Sequence, residues 1–131
     1  DYAVDLLTRM IKIYSPSGKE EEISLFLADE MKKLGVRVHR DEIGNVIGEL
    51  GERSPVVLLC GHMDTVEGEI PVRVEDGQLY GRGSVDAKGP LAAMIVAAST
   101  FVKNGFPGVQ CKLLENEPPI GSGALYSPPV E

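Results

Sequence analysis

Five consecutive apolar residues, Val56-Val57-Leu58-Leu59-Cys60, run directly into Gly61-His62. A run apolar on both faces predicts a central strand covered by helices on each side. At 131 residues, with 43% hydrophobic and 25% charged residues, the chain is one domain's worth of sequence with enough apolar material for a core.

The rest of the pattern supplies the layers that such a strand needs. Val4, Leu7, Met10, Ile11 and Tyr14 recur at helical spacing until Ser15-Pro16-Ser17-Gly18 breaks the period. Ser17 and Glu20 then have the spacing of a capping box, and Glu20, Glu21 and Glu22 sit where a helix N-terminus favours negative charge. Ile23, Phe26, Leu27, Met31 and Leu34 form the next stripe, ended by Gly35. Val36 and Val38 switch the period to two, Val46 and Ile47 follow the Asn45 turn, and Val72, Val74, Asp76-Gly77 and Leu79 read as a hairpin. Residues 90–103 predict a third helix with Pro90 in its first turn, and Val109, Cys111 and Leu113 a last strand. Residues 118–131 crowd Pro118, Pro119, Gly121, Gly123, Pro128 and Pro129 together, which predicts an irregular tail.

The formal charge of −7 argues against nucleic-acid binding, which needs a basic face. No stretch reaches the roughly 18 apolar residues of a membrane span, and no secretory signal is visible. Cys60 and Cys111 lie in apolar runs without zinc-finger spacing, so the expectation is buried thiols in a reducing cytoplasm.

The chemistry concentrates in GHMDTV at 61–66 and GRGSVDAKG at 81–89. His62 follows the apolar strand directly, at the strand end where α/β sheets gather their ligand sites. An imidazole there can bind a metal through one nitrogen while a carboxylate holds the other, and Asp64 is placed to be that carboxylate. Asp86 precedes a helix, and one carboxylate can bridge two ions roughly 3.5–4 Å apart. Taken singly these signals are weak: a histidine beside a strand is commonly structural, and GRG is commonly a turn or at most an anion contact through Arg82. Together, in order and in strand–turn settings, they are specific.

GHMDTV followed by GRGSVDAKGPLAA resembles the dinuclear zinc amidohydrolase family of acetylornithine deacetylase, succinyl-diaminopimelate desuccinylase, aminoacylase and glutamate carboxypeptidase. EGEIPVRVEDGQLYGRG and VDAKGPL are similar to one branch, the amino-group carrier protein–lysine/ornithine hydrolases of lysine and arginine biosynthesis. The resemblance implies a layered αβα catalytic domain, present in part, with a mixed, mostly parallel sheet and helices on both faces. Residues 1–117 would be its N-terminal part. It also implies cytoplasmic cleavage of an amide joining a carrier's terminal glutamate side chain to the α-amine of lysine or ornithine. Two Zn²⁺ ions, replaceable by Co²⁺, would serve a complete site.

By the same resemblance His62 is a metal ligand, Asp86 the bridging ligand and Asp64 the residue that orients His62. The family's next motif is a Glu-Glu pair, general base then ligand, where this chain has Leu114-Glu115-Asn116-Glu117. The preferred register puts Glu117 at the ligand position and Asn116 at the base position; the other makes Glu115 the base and puts Asn116 in the ligand's place. Asparagine cannot accept the proton of an attacking water, and loss of a general base costs about 10²–10⁴-fold in rate. The family's last acidic ligand, its distant histidine and its lid or dimerisation domain have no counterparts, so these 131 residues alone are expected to be inactive. His39, in an alternating strand, reads as a surface residue. Two alternatives stay open. One is a non-catalytic paralogue or fragment with a partial metal site, whose uncovered sheet edge would favour homo-oligomers. The other is a deacetylase or carboxypeptidase of small N-acyl amino acids.

Overall fold

The computed structural model describes residues 1–52, 54–104 and 110–115. Helix α1 (Tyr2–Lys12) starts at Asp1, whose side chain accepts from Ala3 N–H. Its buried face is Leu6, Met10 and Ile11, whereas Val4, expected on that face, is exposed and Tyr14 lies past the helix end. Helix α2 (Glu21–Lys33) buries Ile23, Leu27 and Met31 along the expected stripe and stops at Gly35, where φ is +90°. Val36 N–H returns to Met31 O and Gly35 N–H to Lys32 O, which satisfies the last carbonyls of the helix.

The expected capping box does not form. α2 has Glu20 at its N-cap with no side-chain cap, the Glu20 carboxylate accepts from Gly18 N–H, and the Ser17 hydroxyl is committed to Asp64. Charge ties the two helices instead: Arg9 and Tyr2 of α1 both donate to Glu30 Oε1, each at 2.8 Å. The bond from Arg9 holds the Glu30 carboxyl below its ordinary range, against the opposing effect of burial.

Strands β1 (Arg37–Arg40), β2 (Val46–Leu50), β3 (Val56–Gly61) and β6 (Gln110–Glu115) form one sheet in the order β1-β2-β6-β3. β4 (Arg73–Glu75) and β5 (Gln78–Tyr80) form the expected hairpin across Asp76-Gly77, and α3 (Lys88–Asn104) is the third helix. The sheet is mixed, but its pairing differs from the mostly parallel expectation: among the described strands only β3–β6 is parallel, while β1–β2 and β2–β6 are antiparallel.

β3 also differs from a covered central strand. It is the last strand in the described order, and Leu58 and Cys60 are exposed, so the expected buried thiol at Cys60 is not seen. The cause is the layering. Leu6, Met10, Leu27, Met31, Leu91 and Ile95 of all three helices join Val46 and Leu50 of β2 in a single cluster, with Leu59 packed against it. The helices of the described residues therefore cover one sheet face, and the second helical layer is not among them. Residues 118–131 and the side chain of Cys111 lie outside the described parts.

Leu27, fully buried, is a sensitive position in this core. Leu27→Ala should cost about 2–5 kcal/mol of unfolding free energy in a denaturant titration. Leu25→Ala, at a residue 50% exposed, should stay within about 0.5 kcal/mol.

Candidate functional site

β3 delivers its chain to the site through Met63. That side chain is fully buried in the core cluster, so its neighbours His62 and Asp64 turn the other way. The loop is tethered from outside by residues 15–17. Ser15 Oγ donates to Met63 O at 2.8 Å, Thr65 N–H to Ser15 O at 2.9 Å and Ser17 N–H to Thr65 O at 3.1 Å. Pro16 and Thr65 thereby form a short parallel bridge.

The second motif arrives on a turn held by Ser84 N–H to Gly81 O and Lys88 N–H to Gly83 O. Gly83 has φ +86°, and a Cβ there would lie 2.8 Å from Thr65 Cγ2, so glycine is what lets the two motif loops touch. Lys88 opens α3 with its side chain 1% exposed, and its ammonium donates to Ile13 O at 2.7 Å and Met10 O at 3.1 Å. Burial pushes its pKa down to about 8. Arg82 is anchored by Nε to Gly68 O at 2.6 Å.

These loops bring His62, Asp64 and Asp86 together. His62 Nδ1 lies 3.0 Å from both Asp64 Oδ1 and the Asp64 backbone oxygen, and Nε2 lies 3.1 Å from Asp86 Oδ1. The Asp64 side chain is 27% exposed and that of Asp86 84%. A cavity of about 310 Å³ opens over them, lined also by Ser17, Thr65 and Arg82.

Both groups facing Nδ1 are acceptors, so Nδ1 carries a proton and Nε2 is the nitrogen free for other chemistry. Nε2 then faces a carboxylate oxygen, and two lone pairs at 3.1 Å need a cation or a proton between them. Two donors of a tetrahedral ion, each at about 2.0–2.1 Å, would stand roughly 3.3 Å apart, so this pair fits one edge of a metal site. Among the described residues no third histidine, cysteine or carboxylate completes a cluster. Burial lowers the pKa of His62, but the bond to the Asp64 backbone, the Asp64 charge and the contact with Asp86 outweigh it and leave the ring above its ordinary value.

Glu115 ends β6 in register with Gly61 of the parallel β3, so the carboxyl ends of both strands meet beside His62. Asn116 and Glu117 lie outside the described residues. His39 is exposed on β1, three strand spacings from β3, or about 14 Å, which removes it from the site. Sequence reasoning gave Ser17 to a helix cap and gave Lys88 no role. Their partners Asp64 and Met10 lie 47 and 78 residues away, so no local pattern announces them.

Residues 58–114 match the model of peptidase family M20/M25/M40. A LysW-lysine hydrolase from Deinococcus radiodurans is 42% identical over 129 residues, covering 95% of this chain and 36% of that protein. A Pyrococcus abyssi protein, provisionally named a LysW-lysine/LysW-ornithine hydrolase, is 50% identical over 97 residues, covering 74% of this chain and 29% of its own length. The structure of human carnosine dipeptidase 1 superposes with a TM-score of 0.75 at 27% identity, over 95% of this chain and 34% of that one. The chain thus spans about a third of the length of the relatives it matches.

A raised His62 pKa stabilises the folded state through the protonated ring. The contribution is complete below the ordinary value of 6.5 and is lost as pH rises through the higher folded value. Thermal unfolding of metal-free protein from about pH 5.5 to 8 should therefore show the native chain losing its advantage over His62→Gln as pH rises.

Proposed function

From a chain that carries part of a peptidase family M20/M25/M40 domain, we propose a whole protein that is a metal-dependent amide hydrolase, releasing lysine or ornithine from a carrier-bound acylated form. The observation that carries this reading is the facing pair His62 Nε2 and Asp86 Oδ1, with Nδ1 backed by Asp64. A divalent ion, Zn²⁺ by preference and Co²⁺ as a substitute, would be held by His62 and Asp86. A full site would take two ions, with Glu117 as a further ligand. When bound, such ions polarise the amide carbonyl and acidify the attacking water.

The chain's own residues do the rest. Asp64 keeps the His62 proton on Nδ1 and the ring turned toward Asp86, and Gly83 lets the two loops close on each other. By the resemblance the proton acceptor would be at 115–116, with Asn116 at the base position in one register and Glu115, the last residue of β6, as base in the other. Asn116, where the resemblance expects an acid, favours a second reading in which the site keeps its ions with little turnover. The shared amide chemistry would equally serve small N-acyl amino acids.

His62→Ala or Asp86→Ala should weaken zinc retention by roughly tenfold or more, read by mass spectrometry after exchange into metal-free buffer. His39→Ala should retain zinc as the native chain does. Equal retention in all three would remove the site. Hydrolysis of acylated lysine and ornithine by the full-length protein, with Asn116→Glu and with Glu115→Gln, then separates the two registers: a gain from Asn116→Glu that survives Glu115→Gln puts the base at 116, and activity abolished by Glu115→Gln alone puts it at Glu115.

A further inference from the structure

The Ser17 hydroxyl donates to Asp64 Oδ2 at 2.5 Å, at the rim of the cavity that holds His62 and Asp86. That distance is in the range of a hydroxyl bonded to an ionised carboxylate. Each Asp64 oxygen thus has its own partner, Oδ2 the Ser17 hydroxyl and Oδ1 the His62 Nδ1–H. We propose that Ser17 is a positioning residue: it locks the Asp64 carboxylate so that Oδ1 stays on Nδ1 and the His62 ring keeps Nε2 aimed at Asp86.

The terminal torsion of an aspartate is broad, so a carboxylate held at one oxygen only can swing. Asp64 is 27% exposed, so water would compete for any oxygen that Ser17 released. The Asp64 backbone oxygen would still hold the Nδ1 proton, but as a neutral acceptor it gives the ring less support than a carboxylate. The expected defect is therefore looseness of the ring, with the tautomer kept.

Ser17 itself is placed by main-chain bonds. Its N–H to Thr65 O and the Thr65 N–H to Ser15 O do not involve the hydroxyl, which adds to the same Thr65 O a long contact of 3.5 Å. Nor does the hydroxyl cap α2, whose N-terminus has no side-chain cap. Removing Oγ should leave the loop in place and test the hydroxyl alone.

This inference rests on the metal-site reading for its consequence, but one measurement is independent of it. The chain has two histidines, and His39 is exposed on the far strand, so it serves as an internal reference. In metal-free full chain, ¹H–¹⁵N spectra of the imidazoles should show a His62 Nδ1 proton protected from solvent. Ser17→Ala should speed its exchange, Ser17→Thr should restore protection, and the His39 signals should not change. Zinc affinity by competition titration should fall by roughly 3–10-fold in Ser17→Ala, less than the about 10–100-fold typical of a residue bonded directly to a ligand, and recover in Ser17→Thr.

Identical His62 exchange in native and Ser17→Ala protein overturns the proposal, as does a threonine variant no better than alanine. If the native chain binds no zinc, the functional reading fails. The exchange comparison then still decides the role of Ser17.

Discussion

The arrangement of both motif loops depends on a buried ammonium. Lys88 reaches from the first turn of α3 to the carbonyls of Met10 and Ile13, where α1 ends. Met10 O, which also accepts from Ile13 N–H, and Ile13 O stand at the C-terminal end of the helix, where the negative end of the dipole favours a cation. The exchange is costly, because a charged group leaves water, and the pKa pushed down to about 8 records that cost. What it secures is position. Lys88 is two residues from Asp86, and its stem lies 3.2 Å from where a Cβ on Gly83 would stand. The turn that carries Asp86 is thereby fixed to α1 as well as to α3.

From that anchor the remaining geometry follows by short-range fits. Ser15 and Ser17 continue the chain directly after Ile13, so the same segment that receives the Lys88 ammonium next runs beside residues 63–65. One stretch of chain, from the last turn of α1 to Ser17, is held at Met10 and Ile13 by Lys88 of one motif and at Ser15 and Ser17 by the other, and so sets the two loops relative to each other. This explains why residues far from the metal-ligating pattern shape the site.

The sequence showed what periodicity and turn chemistry can show. The three helices, the hairpin at Asp76-Gly77 and the strand leading to His62 were legible because each is written in contiguous residues. The pairing of His62 with Asp64 was legible for the same reason, at a separation of two. What was not legible has its partner elsewhere. Ser17 and Glu20 had the spacing of a cap, but α2 begins only at Glu21 with Glu20 at its N-cap, which leaves Ser17 three residues short of the capping position and its hydroxyl proton to a carboxylate 47 residues away. Leu6 replaced Val4 on the buried face of α1 because the position of α3, not the local period, decides which face is covered. The run 56–60 promised cover on both faces, yet strand order is a property of the sheet, and β3 stands last among the described strands.

The two carboxylates that flank His62 are unequal, and the inequality has a direction. Asp64 is half-enclosed, with each oxygen in a hydrogen bond, whereas Asp86 is 84% exposed and meets the ring through one oxygen. The nitrogen side of the pair is therefore preorganised, and the carboxylate side is left with room to adjust. A cation entering between Nε2 and Oδ1 would displace only a proton, and the ring it meets is already turned and already carries its other proton on Nδ1. Since Nε2 can accept either a proton or a metal ion, the same carboxylates that raise the His62 pKa also raise its affinity for a cation. Acid would then compete with a metal ion at one atom, on a ring positioned by two loops held in place from the end of α1.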